Sequence, residues 1–283
     1  MNVYERLKTP IVFCGAVIVF ILLLLVVPQK FISPDLGNTV LTISTFLFGI
    51  IAGFFIVVTT TDYNTLKNLL ASETGGLIAL HQDVLMYDRD SANRLAELID
   101  EYIRHSFDVE LINSAQYIRP DFERIKKLIR ELPIKQELAP ILQEVRIVMD
   151  DLIKVHQDEI VLGTRTVSTF QWFVLIVLSA LPIITIYGLR TGELFFDIVT
   201  VAFSSMIVLI LLIIRAIDLY VWNEETFGYD IYEEVLKSIG KLPYYPQESI
   251  EKGRIHPREN EYRIGTRDKT LLSVDRKIEI VKK

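Results

Sequence analysis

The sequence predicts an all-α membrane protein with four transmembrane helices and a helical cytoplasmic domain between the second and third. Three observations lead there. Apolar residues make up 51% of the 283 residues, and the mean hydropathy is +0.34. The excess is gathered into four blocks with almost no charge, which is a membrane pattern and not that of one large soluble core. The blocks form two pairs, each joined by a short loop, and residues 62–166 between the pairs read as amphipathic helices.

The first block runs from Ile11 to Val27 without a charge. At about 1.5 Å per residue it just crosses a hydrocarbon layer of about 30 Å. Arg6 and Lys8 ahead of it suit a signal peptide as the alternative. However, the following VVPQKFISP offers no small-x-small cleavage site, and a second apolar block follows at once, so retention as a helix is expected. The second block runs from Thr39 to Thr60. The third, from Val167 to Tyr187, contains Pro182, which either kinks that helix or marks its outer end. The fourth runs from Leu194 to Ile214, with Asp197 near its start and Arg215 beyond its end.

Orientation follows lysine and arginine near the spans. The two short loops hold only Lys30 and Arg190, whereas Arg6, Lys8, the long insert and the tail carry the rest. Both termini are therefore expected in the cytoplasm of a multi-pass cell-membrane protein.

In the insert, Leu66, Leu69, Leu70, Leu77, Leu80, Val84 and Leu85 recur at helical spacing. That helix is expected to start at Asp62 or Asn64 as a cap, and Gly75-Gly76 weakens it. A second helix follows Asp90-Ser91. A third starts at Pro120-Asp121, a proline-led start. A fourth starts near Pro133 and has only Gly163 to break it before the third span. After the fourth span a helix is expected from about Tyr229. The remainder mixes both charges with little periodicity and is expected to be extended or disordered. The expected parts are thus spans one and two (1–61), a cytoplasmic helical domain (62–166), spans three and four (167–216), a cytoplasmic helix (217–245) and a charged tail (246–283).

Several functions are disfavoured. The net charge of −6 gives no basic face for a nucleic acid. Cys14, the one cysteine, lies in the first apolar block and reads as a small packing residue. His81, His105, His156 and His256 lack metal-ligand spacing among themselves. No nucleophile elbow, P-loop, zinc-protease or dinucleotide motif occurs, so neither an enzyme nor a cofactor is expected. Asp197 and Asp218 fall near span ends, where charge is cheap, and Arg215 is placed to pair with Asp218.

The second span is the unusual one. Hydroxyl residues cluster at its ends and its middle is apolar. Steps of four residues trace Thr42, Phe46, Ile50 and Phe54, a stripe running from a polar end to a bulky apolar waist. Several copies around an axis would give a wetted mouth and a hydrophobic constriction, one way channels gate. Any membrane helix also carries apolar stripes. Gly49 and Gly53, four apart, suit close helix packing.

The run GFFIVVTTTDYN, Gly53 to Asn64, resembles the second-span exit of the bestrophins. The segment Glu225-Thr226-Phe227-Gly228-Tyr229-Asp230 resembles their Pro-Phe-Gly-x-Asp segment. Phe227, Gly228 and Asp230 match, and Thr226 stands in place of the proline. The layout of residues 1–240 is also similar, and Glu73-x-x-Gly76-Leu77 leading to Leu80 looks more like bacterial bestrophin-like proteins of unknown function. Bestrophins are pentameric anion channels lined by the second span. The resemblance therefore implies a homo-oligomer, a pentamer, in the lipid bilayer, with permeant anions as its partners. It places the neck at Phe46, Ile50 and Phe54, the stripe already traced by periodicity. Two departures stand out. Asp62 lies near where bestrophins carry a basic residue and tryptophans. Only Asp230, Glu233 and Glu234 follow Phe-Gly, too spread for the acidic calcium clasp, so no metal is expected there. The alternative is a non-conducting membrane scaffold or sensor whose cytoplasmic domain binds a partner. A carrier would want an ionisable residue mid-span, and none is visible.

Overall fold

The computed structural model describes residues 3–107, 118–163, 167–218, 224–251, 255–267 and 276–282. The chain is mostly helical and divides into two units. One comprises Met1–Tyr63 and Thr166–Trp222, the other Asn64–Arg165 and Asn223–Lys283.

The first unit contains α1 (Val3–Val26), the N-terminal part of α2 (Pro34–Tyr87), α6 (Thr169–Leu189) and α7 (Leu194–Asp218). α2, α6 and α7 are each long and apolar enough to cross a membrane, and Pro10–Val26 of α1 is a shorter apolar stretch. α6 begins at a full capping box. Ser168 accepts from the Gln171 backbone N–H, and the Gln171 side chain accepts from the Ser168 N–H. The helix is thereby separated from the one before it. Pro182 lies inside α6. Asp218 does not pair with Arg215 as expected. Its carboxylate instead accepts from the Val167 N–H at 2.8 Å and from the Trp172 indole at 3.4 Å, which fixes the start of α6 to the end of α7. Asp197 sits 3.3 Å from the Arg190 Nε. Arg190 also donates to the carbonyls of Leu24 and Val27, the orphan acceptors at the C-terminus of α1. Gly188 leaves the space that Ile32 fills in the loop between α1 and α2. Cys14 is exposed in this chain.

The second unit contains the rest of α2, then α3 (Arg89–Ser106), α4 (Arg119–Arg130), a 3-10 turn, α5 (Ala139–Gly163) and α8 (Glu224–Ser238). No helix starts at Asp62 or Asn64, because α2 runs unbroken from Pro34 to Tyr87. No proline or glycine stands between Gly53 and Gly75 to break a helix, and Thr59 and Thr61 direct their hydroxyls to the carbonyls four residues back. The Gly75-Gly76 pair is not a break either. A Cβ on Gly76 would lie 2.7 Å from Leu152, so the glycine admits α5 close to α2.

The all-α expectation needs one correction. The tail holds β1 (Tyr244–Pro246), a short α9 (Gln247–Glu251), β2 (Glu261–Arg267) and β3 (Arg276–Lys282). The strands form a sheet in the order β1-β2-β3, with β1 parallel and β3 antiparallel to β2. It is fastened by a contact invisible to local pattern. Arg263 grips both oxygens of Asp100 on α3 and donates to the Leu242 carbonyl at 2.7 and 3.0 Å.

Candidate functional site

α2 has two distinct faces inside the first unit. Ser44, Phe48, Ala52, Phe55 and Thr59 are buried, spaced three or four apart, and form one stripe. Phe48, Ala52 and Phe55 pack with Leu175 of α6 and with Ile207 and Ile214 of α7. Adding two residues turns a helix by about 200°, so Thr42, Phe46, Ile50 and Phe54 fall on nearly the opposite side. All four are exposed, with Phe46 at 67%, Ile50 at 54% and Phe54 at 61%. Thus the stripe traced from the sequence is the one that this chain does not pack against.

The details bear on what that face can do. The Phe54 ring meets the buried Phe55 ring edge-on at 5.8 Å, so a core residue steadies an outward one. Thr42 and Thr39 donate their hydroxyl protons to Asn38 and Asp35 carbonyls. Their oxygens remain as acceptors, and their protons are already used within the helix. Gly49 and Gly53 are exposed, and a Cβ on either would have open space within this chain. Elsewhere in the unit Arg190 Nε lies 3.3 Å from Asp197, and Asp218 accepts from the Val167 N–H just ahead of α6.

The third set of expected residues lies at the start of α8. Asp230 is exposed and 3.7 Å from Arg258. The surroundings of Phe227 and Gly228 fall outside the described residues.

The family model for the bestrophin-like domain matches residues 11–219. The chain belongs to the bestrophin-like family. Among solved structures, a tyrosine-to-alanine variant of the bacterial bestrophin homologue from Klebsiella pneumoniae is similar at a TM-score of 0.58 and 11% identity, covering 85% of this chain and 99% of that one. A glycine-to-alanine variant of a membrane protein is similar at a TM-score of 0.60 and 13% identity, covering 81% of this chain and 98% of that one. At such identities the likeness is one of fold. A comparison with curated proteins finds no match.

Among the described residues, two groups of side chains in the second unit have the types and spacing to hold a cation. In one, Glu101, His105 and Asp121 are already engaged. His105 lies 2.7 Å from Asp121, and the Arg124 guanidinium 2.7 Å from Glu101, so a fixed positive charge sits at the group. The other is Glu73, His156 and Glu159, all buried. Sequence spacing among the histidines pointed to neither, because each group joins one histidine to a carboxylate of its own helix and to another from a distant helix. The local signs are the i, i+3 spacing of His156 and Glu159 and the i, i+4 spacing of Glu101 and His105.

Proposed function

We propose that the chain is one subunit of a bestrophin-type channel that conducts anions. It would cross the membrane four times, with both termini and residues 62–166 in the cytoplasm. Several copies, five by likeness to the bestrophins, would surround an axis lined by α2. Thr42 would stand at the mouth, and Phe46, Ile50 and Phe54 would form a hydrophobic neck. Gly49 and Gly53 would let neighbouring copies approach along the same helix.

One observation carries the reading. The stripe of α2 that would form the neck is exposed along its length, while the stripe two residues away is committed to the chain's own core. A pore-lining helix in a ring of subunits has this division. The rings of Phe46 and Phe54 would present their positive edges to a passing anion, and an apolar waist would gate by wetting and drying. The family match and the shared fold are consistent with it.

The test is chloride flux into liposomes carrying the purified protein, beside the triple variant Phe46→Ala, Ile50→Ala, Phe54→Ala. Widening a dewetted neck should raise flux on the order of tenfold. If both proteins are silent while folded and oligomeric, the neck assignment fails, and the non-conducting scaffold becomes the reading to pursue.

A further inference from the structure

Five helices of the second unit converge on a small group of buried polar side chains. Glu73 of α2 is fully buried, His156 of α5 is 1% exposed, and Glu159, one turn on, is 5% exposed. Tyr102 of α3 and Tyr232 of α8 donate their hydroxyls to the two oxygens of Glu73, Tyr232 at 2.8 Å. The Phe122 ring of α4 stacks on the imidazole, with centroids 4.2 Å apart.

This arrangement is incomplete as a hydrogen-bond network. Neither ring nitrogen of His156 has a partner, nor has Oε1 of Glu159. Buried polar groups are normally satisfied, and two buried carboxylates normally have a cation. Among the described residues no lysine or arginine pairs with Glu73 or Glu159. His156 Nδ1 stands 3.9 Å from Glu73 Oε1 and 4.0 Å from Glu159 Oε2. These separations are too long for hydrogen bonds. They do suit donors that share one ion, since metal bonds of about 2.0–2.2 Å place neighbouring ligands about 3–4.3 Å apart. One ligand atom from each of the three residues lies within 4.8 Å of the others.

We propose that Glu73, His156 and Glu159 bind one divalent transition-metal ion. The imidazole selects against magnesium and calcium, which prefer oxygen alone. Two carboxylates and one neutral histidine bring a charge of about −2, which a divalent ion cancels in a dry site. Tyr102 and Tyr232 act as outer-shell donors. They fix the Glu73 carboxylate and leave each oxygen a lone pair for the metal. Phe122 sets the plane of the imidazole. A shared proton is the rival occupant, because burial and then the charge of Glu73 push the Glu159 carboxyl well above its usual range. The proposal does not depend on conduction through α2.

The full-length protein, stripped with a chelator in detergent, would be dialysed against buffered Zn2+ and its metal content measured by mass spectrometry. About one Zn2+ per chain is expected, with at least roughly tenfold weaker retention in Glu159→Gln and in His156→Gln at unchanged helicity and oligomer size. X-ray absorption on Zn2+-loaded wild type needs no variant to fold, and it should show imidazole and oxygen scattering. Wild type that retains essentially no Zn2+ overturns the proposal. So does retention unchanged in folded Glu159→Gln, or a bound ion without imidazole scattering.

Discussion

In the unit of apolar helices Thr200 and Ser204 are fully buried, while Leu25, Leu194 and Phe195 stand more than three-quarters exposed. The second unit reverses this. Leu77, Leu80, Val84, Ile99 and Ile125 are fully buried there, and large exposed apolar residues are few. The same chain thus follows two solvents. Water drives apolar side chains together, whereas lipid gives helices no such reason to associate, so small and hydroxyl residues make the close contacts. Exposure therefore has a different meaning in each unit. An exposed Phe46 in the first is ordinary for lipid or for a neighbouring copy. A buried Glu73 in the second is costly and calls for a partner.

The largest stability effect is expected where the second unit joins distant parts of its chain. Asp100 is 5% and Arg263 is 12% exposed, and they are held by two hydrogen bonds. Asp100→Ala leaves the guanidinium without its counter-charge and should cost about 3 kcal/mol. Urea unfolding of the wild type and variant measures the loss, and hydrogen exchange should show β1 and β2 opening first. Unchanged protection of these strands would mean that the tail is held by something else.

Phe48→Ala against Phe46→Ala sharpens the contrast within one helix. Phe48 is 4% exposed in the core, and Phe46 is 67% exposed. With no transfer out of water to lose, the Phe48 change should cost roughly 2 kcal/mol from the cavity alone. The Phe46 change should leave stability within about 0.5 kcal/mol. Thermal unfolding in detergent compares the two. Equal losses would mean that the outward face is packed in the assembled protein as tightly as the core.

Much of this was legible because it is local. Pro120 marked α4, and the four-residue period found the outward stripe of α2, since a stripe is a property of one helix. What was missed depends on distant residues. Asp62 reads as a cap only if the helix before it ends, and nothing ends it. The strands of the tail carry mixed charge, and β2 is fastened by Arg263 to a residue 163 positions away. The buried polar group draws Glu73, Tyr102, His156, Glu159 and Tyr232 from four helices, so no window of sequence contains it.

The smallest effect concerns pH. Asp88 caps α3, accepting from the Ser91 N–H at 3.0 Å and hydroxyl at 2.6 Å, and it meets the Lys135 ammonium at 2.9 Å. The Ser91 hydrogen bond first, and Lys135 with it, hold its carboxyl down at about 2. A carboxyl lowered in the folded state stabilises above its ordinary value, and the benefit is lost as pH falls through the folded value. Wild type should therefore exceed Asp88→Asn slightly in unfolding midpoint near neutrality, with the gap closing between about pH 4 and about pH 2. The capping box of α6 is made by Ser168 and Gln171, whereas the cap of α3 is a carboxylate. A gap that stays constant would mean that Asp88 acts through its shape alone.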